Sequence, residues 1–408
     1  MELYVARQPV FDQNMAVVGY ELLHRESDKW NECTETDGGY ASSRVITGAF
    51  LSSRMESLTS GKLAFINFTG ELLTSGVAML LPREQLVVEV LESVPPTRDV
   101  LRACTELKAR GYTIALDDYV LNPVFEPLAN LADIIKVDIR QNAEENVQKA
   151  ISAHKGRGIR FLAEKVESED EFRLAATLGY DMFQGYFFSK PVILATSTIP
   201  ASKIGYLRLV QAVNAENPDF GMIAAAIEND VELSLETIRL SNSAFYGRRK
   251  KISSIRQAVV ALGLDGVRKW IYLSALRRLG LGKPDVLVST SIIRSKFMEQ
   301  LAYAAGQHHK NAEYALIGLF SLLDALTNCT FGTLLAGLNI TGEIKDILLG
   351  SDYDSKPGAA YATMLAYERG EWDNTAREAE KIDLTLDDVA EAYFASLRWY
   401  NEFMKAAA

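Results

Sequence analysis

Two different spacings of apolar residues divide the chain. Over residues 1–191, short β-branched and aromatic runs alternate with amphipathic stretches. The strand-like runs are YVARQPVF, MAVVGYELL, LAFINF, QLVVEVLE, YTIALDD, DIIKVDI, IRFLAEKV and MFQGYFF. Between most of them lie helix-period segments, such as RDVLRACTELKARG (98–111) and EDEFRLAATLG (169–179). The second ends in Gly179, a residue suited to closing a helix. This alternation predicts a parallel α/β sheet. Eight strands in so short a span favour a compact (β/α)8-type barrel, with an open doubly wound sheet as the alternative. The first two runs are separated only by DQN and read as a hairpin, an atypical start for a regular barrel.

After Pro191 the pattern changes. Residues 192–202 carry turn residues without a clear period and read as a linker. From 203 to 408 apolar positions recur at helical spacing, notably in 221–247 and 252–280, and no further strand-like run stands out. The expected organisation is an α/β barrel over 1–191, a linker over 192–202 and an all-α domain over 203–408. No internal repeat interrupts it.

Composition narrows the picture. The chain has 408 residues, 48% hydrophobic and 24% charged, which is ordinary soluble globular usage with material for two or three domains. A net charge of −10 argues against general nucleic-acid binding. It leaves room for a compact cationic pocket, or a bound metal, to hold a small anionic ligand. Cys33, Cys104 and Cys329 form no CxxC pair, so neither a zinc knot nor a disulfide framework is expected, consistent with a cytoplasmic location. Glu2, Arg7 and Asp12 make the N-terminus unlike a signal peptide. No uncharged apolar run is long enough to span a membrane.

The chemistry gathers at the ends of the strand-like runs. Glu21 follows VVGY, Asn67 follows LAFI, and Glu89 follows LVV with Glu92 three residues on. Asp117 and Asp118 follow TIAL, Lys136 and Asp138 follow DII, Glu164 and Glu167 follow RFLA, and Gln184 follows DMF. Taken singly, an acidic residue at such a place is usually a helix cap or a loop solvator. In a parallel barrel, however, all these ends share the face where active sites lie. Five carboxylates (Glu21, Glu89, Asp117, Asp118 and Glu164) would then face one cation, Lys136, and like charges that close resist joint ionisation. Two divalent cations would neutralise the group, and an all-oxygen donor set suits Mg2+ or Mn2+. Paired hard metals in a carboxylate cup are a recurrent device for phosphodiester hydrolysis.

These residues stand in eight ordered motifs, and residues 1–191 resemble the EAL domain, the bacterial cyclic-di-GMP phosphodiesterase module. The name-giving motif appears as Glu21-Leu22-Leu23 with Arg25 beyond it, preceded by Gln8-Pro9. Asn67-Phe68-Thr69, Glu89-Val90-Leu91-Glu92, Asp117-Asp118, Lys136-Val137-Asp138, Ala163-Glu164-Lys165-Val166-Glu167 and Gln184-Gly185-Tyr186 follow in family order. The resemblance implies that Glu21, Asn67, Glu89 and Asp117 hold one metal, and Asp117, Asp118 and Glu164 the second. Lys136 would orient the attacking water, and Glu164 is also a candidate general base. Glu167 and Gln184 would support the site. Gln8, Arg25 and Asp138 would bind substrate, and the product would be linear pGpG. A homodimer is compatible with the family. The loop after the double Asp departs from the family's Asp-Asp-Phe-Gly-Thr-Gly: here it reads Asp117-Asp118-Tyr119-Val120-Leu121-Asn122, without either glycine. That change is expected to weaken turnover, and it leaves Glu92, the family's anchor for the loop, without its usual task. It also supports the alternative of a cyclic-di-GMP receptor or scaffold without catalysis.

Residues from about 200 onward resemble an HDOD domain, an all-α relative of metal-dependent HD phosphohydrolases, through IENDVELSLETIRLSNSAFYG and ISSIRQAVVALGLDGVRKWIYLSAL. The histidines that an HD enzyme needs are reduced here to the adjacent His308 and His309. Neighbours on a helix point about 100° apart. A solvated helix end is expected, with no HD catalysis. The HDOD half would serve regulation or an unidentified protein partner.

Overall fold

The computed structural model describes residues 3–26, 51–118, 124–141, 144–154, 156–186, 201–213, 215, 217–242, 252–336 and 340–407. They fall into two units. The first is Met1–Lys190 together with Tyr367–Trp372, and the second is Pro191–Ala366 with Asp373–Ala408.

The described strands of the first unit are β1 (Leu3–Asp12), β2 (Val17–Glu26), β3 (Leu63–Phe68), β4 (Leu86–Val90), β5 (Thr113–Leu116), β6 (Ile134–Asp138), β7 (Arg160–Glu164) and β8 (Met182–Gln184). They close into a barrel in sequence order. The opening hairpin is real: β1 runs antiparallel to both β2 and β8, and all other neighbours are parallel. One buried side chain from each of seven strands forms a core layer: Val10, Phe65, Val87, Ala115, Ile134, Leu162 and Met182. On β2, Gly19 has no room for more. A Cβ there would lie 2.7 Å from the Phe65 ring, so Phe65 fills the space.

The helices around the barrel obey their local signals. Arg98–Ala109 is capped by the Thr97 hydroxyl, which accepts from the Val100 amide, and it buries Val100, Cys104 and Leu107 along one face. Glu169–Leu178 starts at the Ser168 cap and ends at Gly179, whose φ of 99° a side chain would resist.

The second unit is helical throughout its described residues. The helical run expected over 221–247 is two helices, Phe220–Glu228 and Val231–Ser241, because Asp230 caps the second by accepting from the Leu233 amide. Ile255–Leu279 is broken at Gly263 (φ 69°, ψ 173°). His308 and His309 are exposed in a short 3-10 turn, His308–Lys310, as a solvated end would be. Of the expected linker, 192–200 lie outside the described residues, and Ala201 already opens the helix Ala201–Val213. The basic run 248–251 also lies outside them. Among the described residues no helix is long and apolar enough to cross a membrane.

Candidate active site

Strand geometry sets the site. Side chains two apart on a strand share a face. Stepping two residues beyond the core layer toward the C-terminal ends of the parallel strands leads from Phe65 to Asn67, Val87 to Glu89, Ala115 to Asp117, Ile134 to Lys136, Leu162 to Glu164 and Met182 to Gln184. On the antiparallel β1 the same step runs backward, from Val10 to Gln8. Gln8 stands opposite Glu21 in the β1–β2 register. A single apolar layer therefore floors the polar mouth of the barrel.

Lys136 is the hub. Its side chain is 1% exposed, and its Nζ lies 2.8 Å from Asp117, 2.9 Å from Glu89, 2.9 Å from Glu164 and 3.4 Å from Glu21. Burial alone would push its proton off, but the four carboxylates hold it charged, well above the usual lysine range. Gln184 Nε2 donates to Glu21 (2.6 Å) and to Gln8 Oε1 (2.9 Å), and Asn67 Nδ2 donates to Glu21 (3.2 Å). Burial would raise the Glu21 carboxyl, yet the Lys136 charge and these donors leave it below its ordinary value.

The remaining acids show the strain of crowding. Desolvation lifts Glu89 well above the carboxylate range, with Glu21 and Asp117 adding to the effect against Lys136. Burial pushes Glu164 up to about 7, again opposed by Lys136 and reinforced by Asp117 and Glu21. Asp118 is raised by burial and by its neighbour Asp117. Its φ is +41°, a region non-glycine residues seldom occupy.

Four residues expected at the site have other engagements. Asp138 is buried, accepts from the Arg140 amide (2.8 Å) and receives the Lys165 ammonium (2.6 Å), and these bonds hold it ionised against its burial. Glu167 pairs with Arg140 (2.8 Å), which also reaches Glu171 (3.2 Å). Glu92 is exposed just past β4, and the loop expected to engage it, 119–123, lies outside the described residues. Arg25 pairs opposite Tyr4 in the β1–β2 ladder. Its side chain is not among those described.

Lys165 and Arg140 received too little weight in the sequence. Both stand just past strand ends, where a basic residue reads as solvation. Lys165 takes a φ of +56° at the place where the EAL motif carries glycine. Gly185 is required: a Cβ there would fall 2.0 Å from the Val166 carbonyl oxygen, beside the bond from the Val166 amide to the Gln184 carbonyl.

The donors suit a hard cation. Asn67 Oδ1, Glu89 Oε2 and Gln184 Oε1 are buried and accept no hydrogen bond. Four carboxylates around one ammonium also leave excess negative charge when all ionise. As they stand, no three Asp, Glu, His or Cys side chains among the described residues form a ligating group, because the acids turn to Lys136. The chemistry of the donor set fits a divalent cation that would share them with the lysine.

Residues 51–191 match the EAL domain and residues 199–330 the HDOD domain. The chain belongs to the family of EAL–HDOD proteins. It is 34% identical over 414 aligned positions to the uncharacterized protein YuxH of Bacillus subtilis (strain 168), spanning 100% of both chains. It is 32% identical over 401 positions to the cyclic di-GMP phosphodiesterase CdgJ of Vibrio cholerae serotype O1, spanning 98% of this chain and 92% of that one. Among solved structures, the EAL enzyme Bd1971 with cAMP and cyclic-di-GMP bound aligns over 47% of this chain and 62% of its own, at 20% identity and a TM-score of 0.39. The EAL match begins after Gln8 and Glu21, so the placement of these two rests on the barrel register itself.

Proposed function

We propose that this protein is a cation-dependent phosphodiesterase that hydrolyses cyclic-di-GMP to linear pGpG. The observation that carries the reading is the convergence of Glu21, Glu89, Asp117 and Glu164 on the buried Lys136 at the mouth of an EAL barrel. The substrate follows the relative CdgJ, a cyclic di-GMP phosphodiesterase. Glu21, Asn67, Glu89, Asp117, Asp118 and Glu164 would hold two divalent cations, Mg2+ or Mn2+, which when bound supply an acidified water and charge stabilisation at phosphorus.

The chain's own groups do the rest. In the reaction water adds to phosphorus, the P–O3′ bond breaks, and the 3′ oxygen leaves with a proton. Lys136 fixes the carboxylates and orients the water. Glu164 is the proton acceptor, because its side chain reaches the rim (14% exposed) whereas Glu89 is sealed (0%). Gln184 holds Glu21 and Gln8 in register. Gln8 and Arg25 contact the dinucleotide. Asp138 acts on substrate through the Lys165 ammonium that it positions. Glu167 steadies this side of the mouth through Arg140. The barrel domain is 1–191, joined by 192–202 to an HDOD domain, 203–408, that regulates it or docks a protein partner. The protein acts in the cytoplasm, alone or as a homodimer.

Purified protein incubated with cyclic-di-GMP and Mg2+ or Mn2+ is expected to release pGpG by chromatography, and Glu21→Ala to release none. Turnover by Glu21→Ala equal to that of the wild type would overturn the site. A second reading, a receptor that binds without cleaving, is favoured by the glycine-free loop after Asp118. It predicts nucleotide binding by the wild type with no pGpG.

A further inference from the structure

The second unit contains a cavity of about 910 Å3. Its walls come from the helices Ala201–Val213, Ile255–Leu279, Asn311–Phe320 and Gly342–Leu348, together with the turn that carries His309 and Lys310. Among the described lining residues the charged groups are Arg208, Arg268, Lys310 and Glu313. Cations outnumber acids there, in a chain whose net charge is −10. Arg268 is pinned from behind, its Nε donating to the Val213 carbonyl at 3.3 Å, and Lys310 pairs with Glu343 at 3.1 Å. Arg268 also lines a smaller adjoining cavity, where Lys269 and Lys296 stand 5.1 and 5.7 Å from the Trp399 ring centroid.

Two further features favour a ligand. Gln211 lines the larger cavity, and its Nε2 is buried with no hydrogen-bond partner. A buried amide donor without an acceptor is costly, and a ligand oxygen would satisfy it. The uncharged wall (Leu264, Leu316, Ile340, Ile344) offers apolar surface to the rest of a molecule. Guanidinium groups match phosphate in geometry as well as charge. The volume sits in the upper range of small-ligand pockets, too large for a lone inorganic ion.

We propose that this cavity is a binding site for a phosphorylated small molecule of nucleotide size, distinct from the barrel mouth. The phosphate meets Arg208 and Arg268, the Gln211 amide donates to a ligand oxygen, and the uncharged part lies on the apolar wall. The source is either a free nucleotide or a linear dinucleotide such as the product proposed for the barrel. The site itself does not rest on that reading.

The test is titration calorimetry on the full-length chain carrying Glu21→Ala, without metal, using GTP, pGpG and inorganic phosphate as probes. Saturable binding of GTP or pGpG is expected, weakened about tenfold or more by Arg208→Glu and by Arg268→Gln. Whichever of the two binds more tightly identifies the source. Arg208 is exposed, so its variant is expected to keep the fold, verified by circular dichroism. Gln211→Leu, with unchanged thermal unfolding, is expected to weaken binding as well. No saturable heat from any probe up to about 1 mM overturns the proposal. So does nucleotide affinity unchanged by Arg208→Glu, or binding of inorganic phosphate alone.

Discussion

The two units handle charge in opposite ways. In the barrel, four carboxylates and one ammonium sit on the ends of rigid strands, almost wholly removed from water, each touching the next. In the helical unit, the basic side chains line an open cavity and keep partial exposure, while both histidines of the 3-10 turn stay at the surface. The first arrangement is fixed before any ligand arrives, as chemistry at phosphorus requires. The second leaves its cations wet, as exchangeable recognition requires. Buried charge on strands and exposed charge on helices thus separate two tasks within one chain.

The hardest blow to that contrast is Lys136→Met, which strips the barrel cluster of its cation. The metal-free variant is expected to lose about 3–5 kcal/mol of unfolding free energy, measured by urea denaturation, together with pGpG formation. A variant as stable as the wild type would mean that the acids are held by something other than the lysine. Gly185→Ala is expected to follow, at roughly 2–3 kcal/mol with impaired turnover. Its Cβ would collide with the Val166 backbone at a φ of +148°.

A smaller effect probes the helical unit. Burial pushes the Asp324 carboxyl up to about 6, against the pull of Arg294. Because the folded-state value lies above the unfolded one, the group weakens the fold progressively as pH rises from about 4 to 6, and fully above that. Asp324→Asn should therefore gain on the order of 1–2 kcal/mol over wild type at pH 7.5 relative to pH 4, read from paired denaturation curves. An advantage that shrinks as pH rises would reverse the assignment. The smallest effect belongs to His308→Ala, expected to shift stability by less than about 0.5 kcal/mol and to leave pGpG formation unchanged.

The barrel was legible in the sequence because its strands alternate between an apolar floor and a polar mouth, a period-2 signal that survives without tertiary information. The hairpin start was legible because DQN leaves no room for a crossover. The site residues were legible as strand ends, but their partners were not. Nothing in the spacing says that Lys136 reaches four acids at once, or that Asp138 is held by Lys165 and not left open to substrate. Such pairings depend on barrel radius and side-chain reach across strands far apart in sequence. The same limit hid Tyr367–Trp372, which belongs to the first unit although it follows most of the second. The charged cavity was anticipated only as a compact cationic pocket that a net charge of −10 would permit. Its lining comes from helices whose individual patterns record only which face is apolar.

The bond between Gln184 and Gln8 spans 176 residues and joins the first strand to the last. On a ribosome adding about 5–20 residues per second, the hairpin waits roughly 10–35 s before the strand that seals it exists. For that interval β1 presents an unpaired edge to its surroundings, the kind of edge other nascent chains can capture. The catalytic mouth is therefore among the last features of the barrel to form. Slow translation or a shortage of chaperones would show first as missing activity in an otherwise abundant protein.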